Sequence, residues 1–249
     1  MSGLLDIPYP VFDAVDGWVA AVAPAWLRLV LWGAVSGAAA MALYAATSSQ
    51  DRLQALKRRS AELRAEVART EDAGEAARLA LQNVRLSFRF LGAVLGPALL
   101  SGIPVLFLLA WVSAAYSYAM PEAGRTVPVV AAPPDSGLTM APPVTGEAMA
   151  VAWPGTGGTV TLRERDAILD APADELRLGI IHKRRWWNWL LGNEAGYLPA
   201  AWATDSVSFA LPPREVLSFG PAWMRGWAFV YFVTLVAVSL VIKLRFRIV

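Results

Sequence analysis

The sequence predicts a mainly α-helical membrane protein: three transmembrane helices, a cytoplasmic antiparallel helical hairpin and a small β-rich extracytoplasmic domain. The first observation is composition, since 56% of the residues are hydrophobic, well above an ordinary soluble domain. The second is three apolar runs near or above the roughly 20 residues that a helix needs to cross a bilayer. The third is the placement of the basic residues at the ends of those runs.

The N-terminal residues 1–25 are predicted to lie outside, at the membrane interface. They contain three acids and no Lys or Arg, and no basic region precedes an apolar core as in a cleavable signal peptide. Five apolar side chains have the spacing of one helical face: Phe12, Val15, Trp18, Val19 and Val22.

The three predicted spans agree on one orientation. Span 26–48 is followed by residues 49–89, which carry nine basic and six acidic side chains, and span 223–244 is followed by the basic tail 245–249. Basic residues near the ends of spans remain in the cytoplasm. The N-terminus is therefore expected outside and the C-terminus inside, in a prokaryotic inner membrane.

Residues 49–89 are predicted to form the helical hairpin. Gln50–Arg69 and residues 76–89 each combine an apolar stripe with many charges, and residues 71–75 supply acids and a glycine for the turn. Each arm has fewer than three heptads, which indicates a short coiled-coil-like hairpin and not a long coiled coil.

The second span, residues 90–118, contains an unusual group of helix-disturbing residues: Gly96, Pro97, Gly102 and Pro104. Proline removes a backbone donor, so we predict a kink here. Two interpretations are open: close packing of helices through small residues, or a bent helix beside a hydrated groove.

Two segments separate the second and third spans. Residues 119–146 contain six prolines and three glycines between positions 121 and 146 and are predicted to be a linker. Residues 147–222 alternate apolar and polar side chains, as in Val160/Leu162 and Val207/Phe209, which predicts a β-rich domain. Because it is small, we expect this domain to lean on the membrane or on a partner.

A basic and aromatic patch interrupts the alternation. It consists of Lys183, Arg184, Arg185, Trp186, Trp187 and Trp189. It could be a short helix that packs its tryptophans on the β-rich domain or in the interfacial aromatic belt. The alternatives are docking onto anionic headgroups or a protein partner, and stacking on carbohydrate.

Few polar groups lie within or beside the spans. The candidates to line a client groove are Arg28, Ser36, Ser101, Arg225 and Ser239. Arg28 either snorkels to the headgroups or faces a groove, because a charge at membrane depth is costly. Arg225 has the same two possibilities, with the interface favoured.

The sequence contains none of the catalytic motifs or metal-ligand clusters by which common enzyme classes are recognised. It has no cysteine and one histidine, and the signatures of NTPases, serine hydrolases and zinc proteases are missing. We therefore predict no catalytic residue, no metal site and no cofactor. The charge pattern follows membrane topology, so DNA is not an expected partner.

Three segments together resemble a known family: Leu27-Arg28-Leu29, residues 88–111 (FRFLGAVLGPALLSGIPVLFLLAW) and residues 226–243 (GWAFVYFVTLVAVSLVIK). They are similar to the YidC/Oxa/Alb superfamily of insertases. The likeness is to its short three-helix branch, which includes archaeal YidC-like proteins and the insertase subunit of the endoplasmic reticulum membrane protein complex. The roughly 100-residue external segment is a departure from that branch.

The resemblance implies a hydrophilic groove that guides the polar flanks of client proteins, with Arg28 matching a basic groove residue. The implied function is a membrane insertase or assembly chaperone. The alternative is a non-catalytic subunit that anchors the external domain in a larger membrane complex; a channel has less support. Expected partners are lipids, client proteins or other subunits, and the ribosome at the basic hairpin.

Overall fold

The protein is mostly helical, with three long apolar helices and a small region of antiparallel sheet, as the predicted fold class requires. The computed structural model describes residues 3–144 and 149–248, so the predicted boundary between linker and β-rich domain lies outside the described residues. The chain forms two compact units. The sheet unit comprises Met1–Leu29 and Phe107–Val230, and the helical unit comprises Val30–Leu106 and Tyr231–Val249.

The helices are α1 (Tyr9–Ala20), α2 (Ala25–Thr47), α3 (Gln50–Arg69), α4 (Ala73–Tyr116), α5 (Ala222–Arg225) and α6 (Trp227–Phe246). Among the described residues, α2, α4 and α6 are long and apolar enough to cross a membrane, which indicates an integral membrane protein. The second predicted hairpin arm and the second predicted span belong to one helix, α4. That helix passes through Pro97 and Pro104 without a break.

Within the helical unit, α2 and α6 approach each other closely at two glycines. A Cβ atom on Gly33 would lie 2.8 Å from the carbonyl oxygen of Tyr231, and one on Gly37 would lie 2.7 Å from that of Leu235. Between these glycines, the Ser36 hydroxyl is hydrogen-bonded to the Tyr231 hydroxyl at 2.7 Å. Small residues four apart allow this approach of two backbones.

The glycines of α4 do not make such a contact. A Cβ atom on Gly92, Gly96 or Gly102 would meet no other part of the described chain within 4 Å. Among the described residues, close helix packing through small residues is therefore found at Gly33 and Gly37 of α2 and not at Gly92, Gly96 or Gly102. The sequence pattern did not distinguish the two sets because both contain glycines four residues apart.

The helix α3 lies against the first part of α4. The Ser60 hydroxyl donates a hydrogen bond of 2.7 Å to the Asn83 side-chain oxygen. Leu53 and Leu63 of α3 are buried, so α3 uses its apolar stripe for packing, as expected for an amphipathic helix.

The strands of the sheet unit are β1 (Thr126–Ala132), β2 (Leu138–Ala141), β3 (Ala150–Ala152), β4 (Thr159–Glu164), β5 (Ala167–Pro172), β6 (Ile180–His182) and β7 (Ser206–Phe209). They form two antiparallel sheets, β3-β1-β7-β6 and β2-β4-β5. Their inward side chains build one hydrophobic core, in which Val160, Leu162 and Val207 are completely buried.

Two strands, β1 and β2, lie within residues 119–146, the range that the sequence predicts to be a linker. The strand β1 alternates exposed and buried residues, with Val127, Val129 and Ala131 inward. Pro128 fits between them because its carbonyl still accepts a hydrogen bond of 2.9 Å from the Ala210 amide. The alternation in β1 is short, and the prolines around it favoured a linker in the sequence prediction.

Glu164 connects β4 to the segment before β7. Its buried carboxylate accepts hydrogen bonds from the Ala203 amide, the Thr204 amide and the Thr204 hydroxyl. Burial opposes ionisation, but these three donors outweigh it and lower the pKa of Glu164.

Candidate functional site

The predicted groove residues have different surroundings, and two of them are part of the α2–α6 contact. Ser36 is completely buried, and its hydroxyl is hydrogen-bonded to the Tyr231 hydroxyl. Ser239 lies beside Gly37, since a Cβ atom on that glycine would be 3.1 Å from its hydroxyl oxygen. Both serines therefore contribute to helix packing.

Ser101 borders a cavity of about 350 Å³ in the helical unit. The cavity is lined by Ala40, Met41 and Tyr44 of α2, Phe90, Val94 and Ser101 of α4, and Lys243 of α6. Its walls are mainly apolar, and its polar groups are two hydroxyls and one ammonium. Ser101 is 7% exposed, and its hydroxyl donates to the Ala98 carbonyl at 2.9 Å, so its own helix satisfies its donor.

Arg28 belongs to the sheet unit and pairs with Asp16 of α1. The side chains of Arg28 and Asp16 are only 11% and 13% exposed. The other oxygen of Asp16 accepts a hydrogen bond of 2.6 Å from the Tyr116 hydroxyl, and the Arg28 guanidinium lies 5.5 Å from the centre of the Tyr116 ring. Arg28 is thus neutralised within the protein, an arrangement that neither sequence interpretation contained.

The second acid of α1, Asp13, makes a similar set of contacts. It accepts hydrogen bonds of 3.0 Å from the Trp111 indole and from Arg177. The two carboxylates of α1 therefore bind the first turns of α2, the last turns of α4 and the loop before β6. Sequence reasoning missed this role; the available signal was two acids three residues apart in an otherwise apolar segment, which need buried partners.

These charges border a second cavity, of about 600 Å³, in the sheet unit. Its charged lining residues are Asp13, Asp16, Asp174, Arg177 and Arg214. Charges of both signs face this space, so it has no strong preference for an anion or a cation. It is a polar space at the end of α4.

Two groups near this cavity have shifted pKa values. Burial opposes the charge of Arg177, but the hydrogen bond to Asp13 and the field of Glu194 outweigh it and raise the pKa of Arg177. Burial raises the pKa of Glu194; Arg177 opposes this shift, and Asp13 and Asp6 add to it. Arg177 thus opposes the rise in the pKa of Glu194 that burial and the neighbouring acids cause.

Arg225, the second predicted groove arginine, contacts the loop that precedes α5. Arg225 donates to the Gly220 carbonyl at 2.9 Å and to the Glu215 carboxylate at 3.4 Å. Both acceptors belong to the loop that precedes α5, so Arg225 fixes that loop.

The basic and aromatic patch forms a 3₁₀ turn, Trp186–Trp189, and its tryptophans are divided. Trp187 faces inward, with its ring centre 5.3 Å from that of His182. Trp186 and Trp189 are exposed. Of the basic residues, Lys183 pairs with Asp205 at 2.9 Å, and Arg184 and Arg185 are exposed.

Within residues 3–144 and 149–248, no three carboxylate or imidazole groups come together to hold a metal ion. Comparisons with protein-family models, with curated proteins and with solved structures found no match.

Proposed function

We propose that the protein is a membrane insertase or assembly chaperone of the YidC-like type. The observation that supports this is the cavity bordered by all three apolar helices, where Ser101, Tyr44 and Lys243 stand among apolar side chains. A client's polar flank would occupy this cavity while its apolar helix enters the lipid beside α4.

The physical reason is the cost of moving polar groups through hydrocarbon. An unsatisfied backbone amide or carbonyl costs several kcal/mol there, so an uncatalysed crossing is slow. Hydroxyls and an ammonium at membrane depth give a passing segment temporary partners. Lys243 would also attract an acidic flank. Nothing in this step requires a nucleotide or a cofactor.

The proposal includes an orientation. Residues 49–89 would lie in the cytoplasm of a prokaryotic cell, where their nine basic side chains would meet anionic headgroups, ribosomal RNA or the client. Residues 120–222 would lie on the opposite side of the membrane.

Site-specific photo-crosslinking tests the proposal. A photoreactive amino acid is placed at Ser101, which lines the cavity, and at Leu99, which is exposed on the same helix two residues earlier. During translation of a small membrane protein into proteoliposomes, we expect several-fold more adducts of the nascent chain at Ser101 than at Leu99. Equal labelling, or labelling by lipid alone at both positions, would count against a client cavity.

A second candidate function is that of an accessory subunit, which is favoured by α4. Its glycines Gly92 and Gly96 repeat the four-residue spacing of Gly33 and Gly37 but meet no other part of the described chain. A helix of another subunit would fit there. Stoichiometric partners in a native pull-down, together with an absence of nascent-chain adducts at Ser101, would favour this candidate.

A further inference from the structure

We infer that the sheet unit is held on the membrane by an apolar surface that enters the phospholipid leaflet on the α1 side. This surface, the lipid-contact face, consists of Ile7, Val11, Trp18, Val22, Trp186 and Trp189. It combines two segments that are about 165 residues apart in the chain, and its occupant is the bilayer. The inference does not depend on insertase activity, because it concerns how the external domain is positioned.

The polarity of α1 is the first argument. Its charged side chains, Asp13 and Asp16, turn inward to Arg177 and Arg28. Its outward residues are apolar, and Trp18 is 77% exposed. A helix in water has the reverse arrangement. An apolar outer face with paired charges behind it is what a lipid environment favours.

The continuity of the chain is the second argument. Only residues 21–24 separate α1 from α2, and α2 is one of the candidate spans. Val22, in this connection, is 87% exposed. The five residue steps from Ala20 to Ala25 cover at most about 18 Å, so the end of α1 cannot leave the region where α2 enters the membrane.

The third argument is that the tryptophan turn is fixed to the start of the chain. The Leu5 amide donates to the Leu190 carbonyl at 2.9 Å. Asp6, which is buried, accepts hydrogen bonds from the Gly3 amide at 2.7 Å and from the Gly192 amide at 2.8 Å. The turn therefore follows the N-terminal segment, and both reach the membrane surface together.

The side chains of the turn suit the interface itself. Trp186 is 84% exposed, and indole rings concentrate at the level of the headgroups. Arg184 and Arg185, both exposed, directly precede it and match the charge of lipid phosphates. This chemistry favours a phospholipid surface over an apolar protein groove, in which two exposed guanidinium groups would have to be desolvated.

Spin-label accessibility tests the inference. The chain has no cysteine, so single cysteines at Val11, Trp18 and Trp186 of the full-length protein can each carry a nitroxide in phospholipid nanodiscs. Ile168 is the matched control, since it is apolar and 52% exposed but lies opposite Arg163 on β4. We expect relaxation by oxygen to exceed relaxation by a water-soluble nickel chelate at the three test positions, and the reverse at Ile168.

Two results would overturn the inference. If nickel dominates at Val11, Trp18 and Trp186, the face is in water. If neither reagent reaches these labels, a protein covers the face.

A variant tests the connection between the two segments. The double variant Leu5→Pro/Asp6→Ala removes both connections, the amide that donates to the Leu190 carbonyl and the carboxylate that binds the Gly192 amide. We expect the label at position 186 to shift toward nickel access by several-fold, whereas the label at position 18 stays in lipid because residues 21–24 still connect α1 to α2. An unchanged label at position 186 would show that the N-terminal segment does not hold the turn, which would contradict the joint surface.

Discussion

Asp16 and Arg28 show how this chain compensates charges that are almost buried. Both side chains are almost buried and bonded to each other, and Tyr116 completes the group through its hydroxyl and its ring. Removing one member of a buried ion pair leaves the other uncompensated. The sequence identified Arg28 as unusual but not its partner, because the two residues lie on different helices and their contact depends on how α1 folds back.

The pair gives a prediction at this scale. Asp16→Asn leaves the Arg28 charge without its partner and should lower the free energy of unfolding by about 3 kcal/mol, measured by thermal or denaturant unfolding in detergent. The double variant Asp16→Asn/Arg28→Gln should recover a large part of that loss, because no unpaired charge is left.

The same variants separate packing from client binding. If Arg28 acts only through Asp16, the double variant should insert client proteins at close to the normal rate. If it recovers stability but remains inactive in an insertion assay, the Asp16–Arg28 pair has a role in insertion beyond packing.

At the scale of elements, the three apolar helices were predictable because length and hydropathy are properties of continuous segments. The contacts between them were not, since they depend on which face of each helix meets another. The sequence favoured the α4 glycines as packing positions because two prolines lie among them. The close approach of two helix backbones, α2 and α6, occurs instead at Gly33 and Gly37.

The observed exposure of the first helix differs from the predicted face for a related reason. The sequence spacing predicts that Phe12, Val15, Trp18, Val19 and Val22 share one face. The structure turns Phe12 and Val19 partly inward, beside Asp13 and Asp16, and leaves Val15, Trp18 and Val22 exposed. Apolar spacing identifies the buried face of a helix only where the opposite face is polar, and the exposed residues of α1 are apolar as well.

The glycine contact gives the prediction for elements. Gly37→Ala places a methyl group 2.7 Å from the Leu235 carbonyl oxygen, so α2 and α6 must move apart. We expect a loss of about 1–3 kcal/mol of stability, seen as a lower midpoint of thermal unfolding in detergent. Gly96→Ala is the matched control, because its methyl group meets nothing within 4 Å; an equal loss in both variants would contradict the packing explanation.

At the scale of the molecule, the β-rich region was predictable from alternation, as in Val160/Leu162 and Val207/Phe209, both of which enter the core. The position at which this region begins was not predictable. The strand β1 alternates over only seven residues and contains a proline, and it is stabilised by pairing with β7, about 75 residues later. Long-range pairing of this kind leaves little local signal.

Membrane topology is the prediction for the whole molecule, and it follows from the charges that flank the three apolar helices. Single cysteines at Ala65 on α3 and at Asp135 between β1 and β2, both exposed, should react with a membrane-impermeant maleimide from opposite sides, position 65 only after permeabilisation of the cell and position 135 before it. Unmodified protein, which has no cysteine, provides the blank. Reaction of both positions from one side would mean that the chain crosses the membrane an even number of times between α3 and β2. If both react before permeabilisation, residues 49–89 lie outside and the proposed ribosome contact is impossible. If both react only after it, residues 120–222 lie in the cytoplasm and the proposed orientation is wrong.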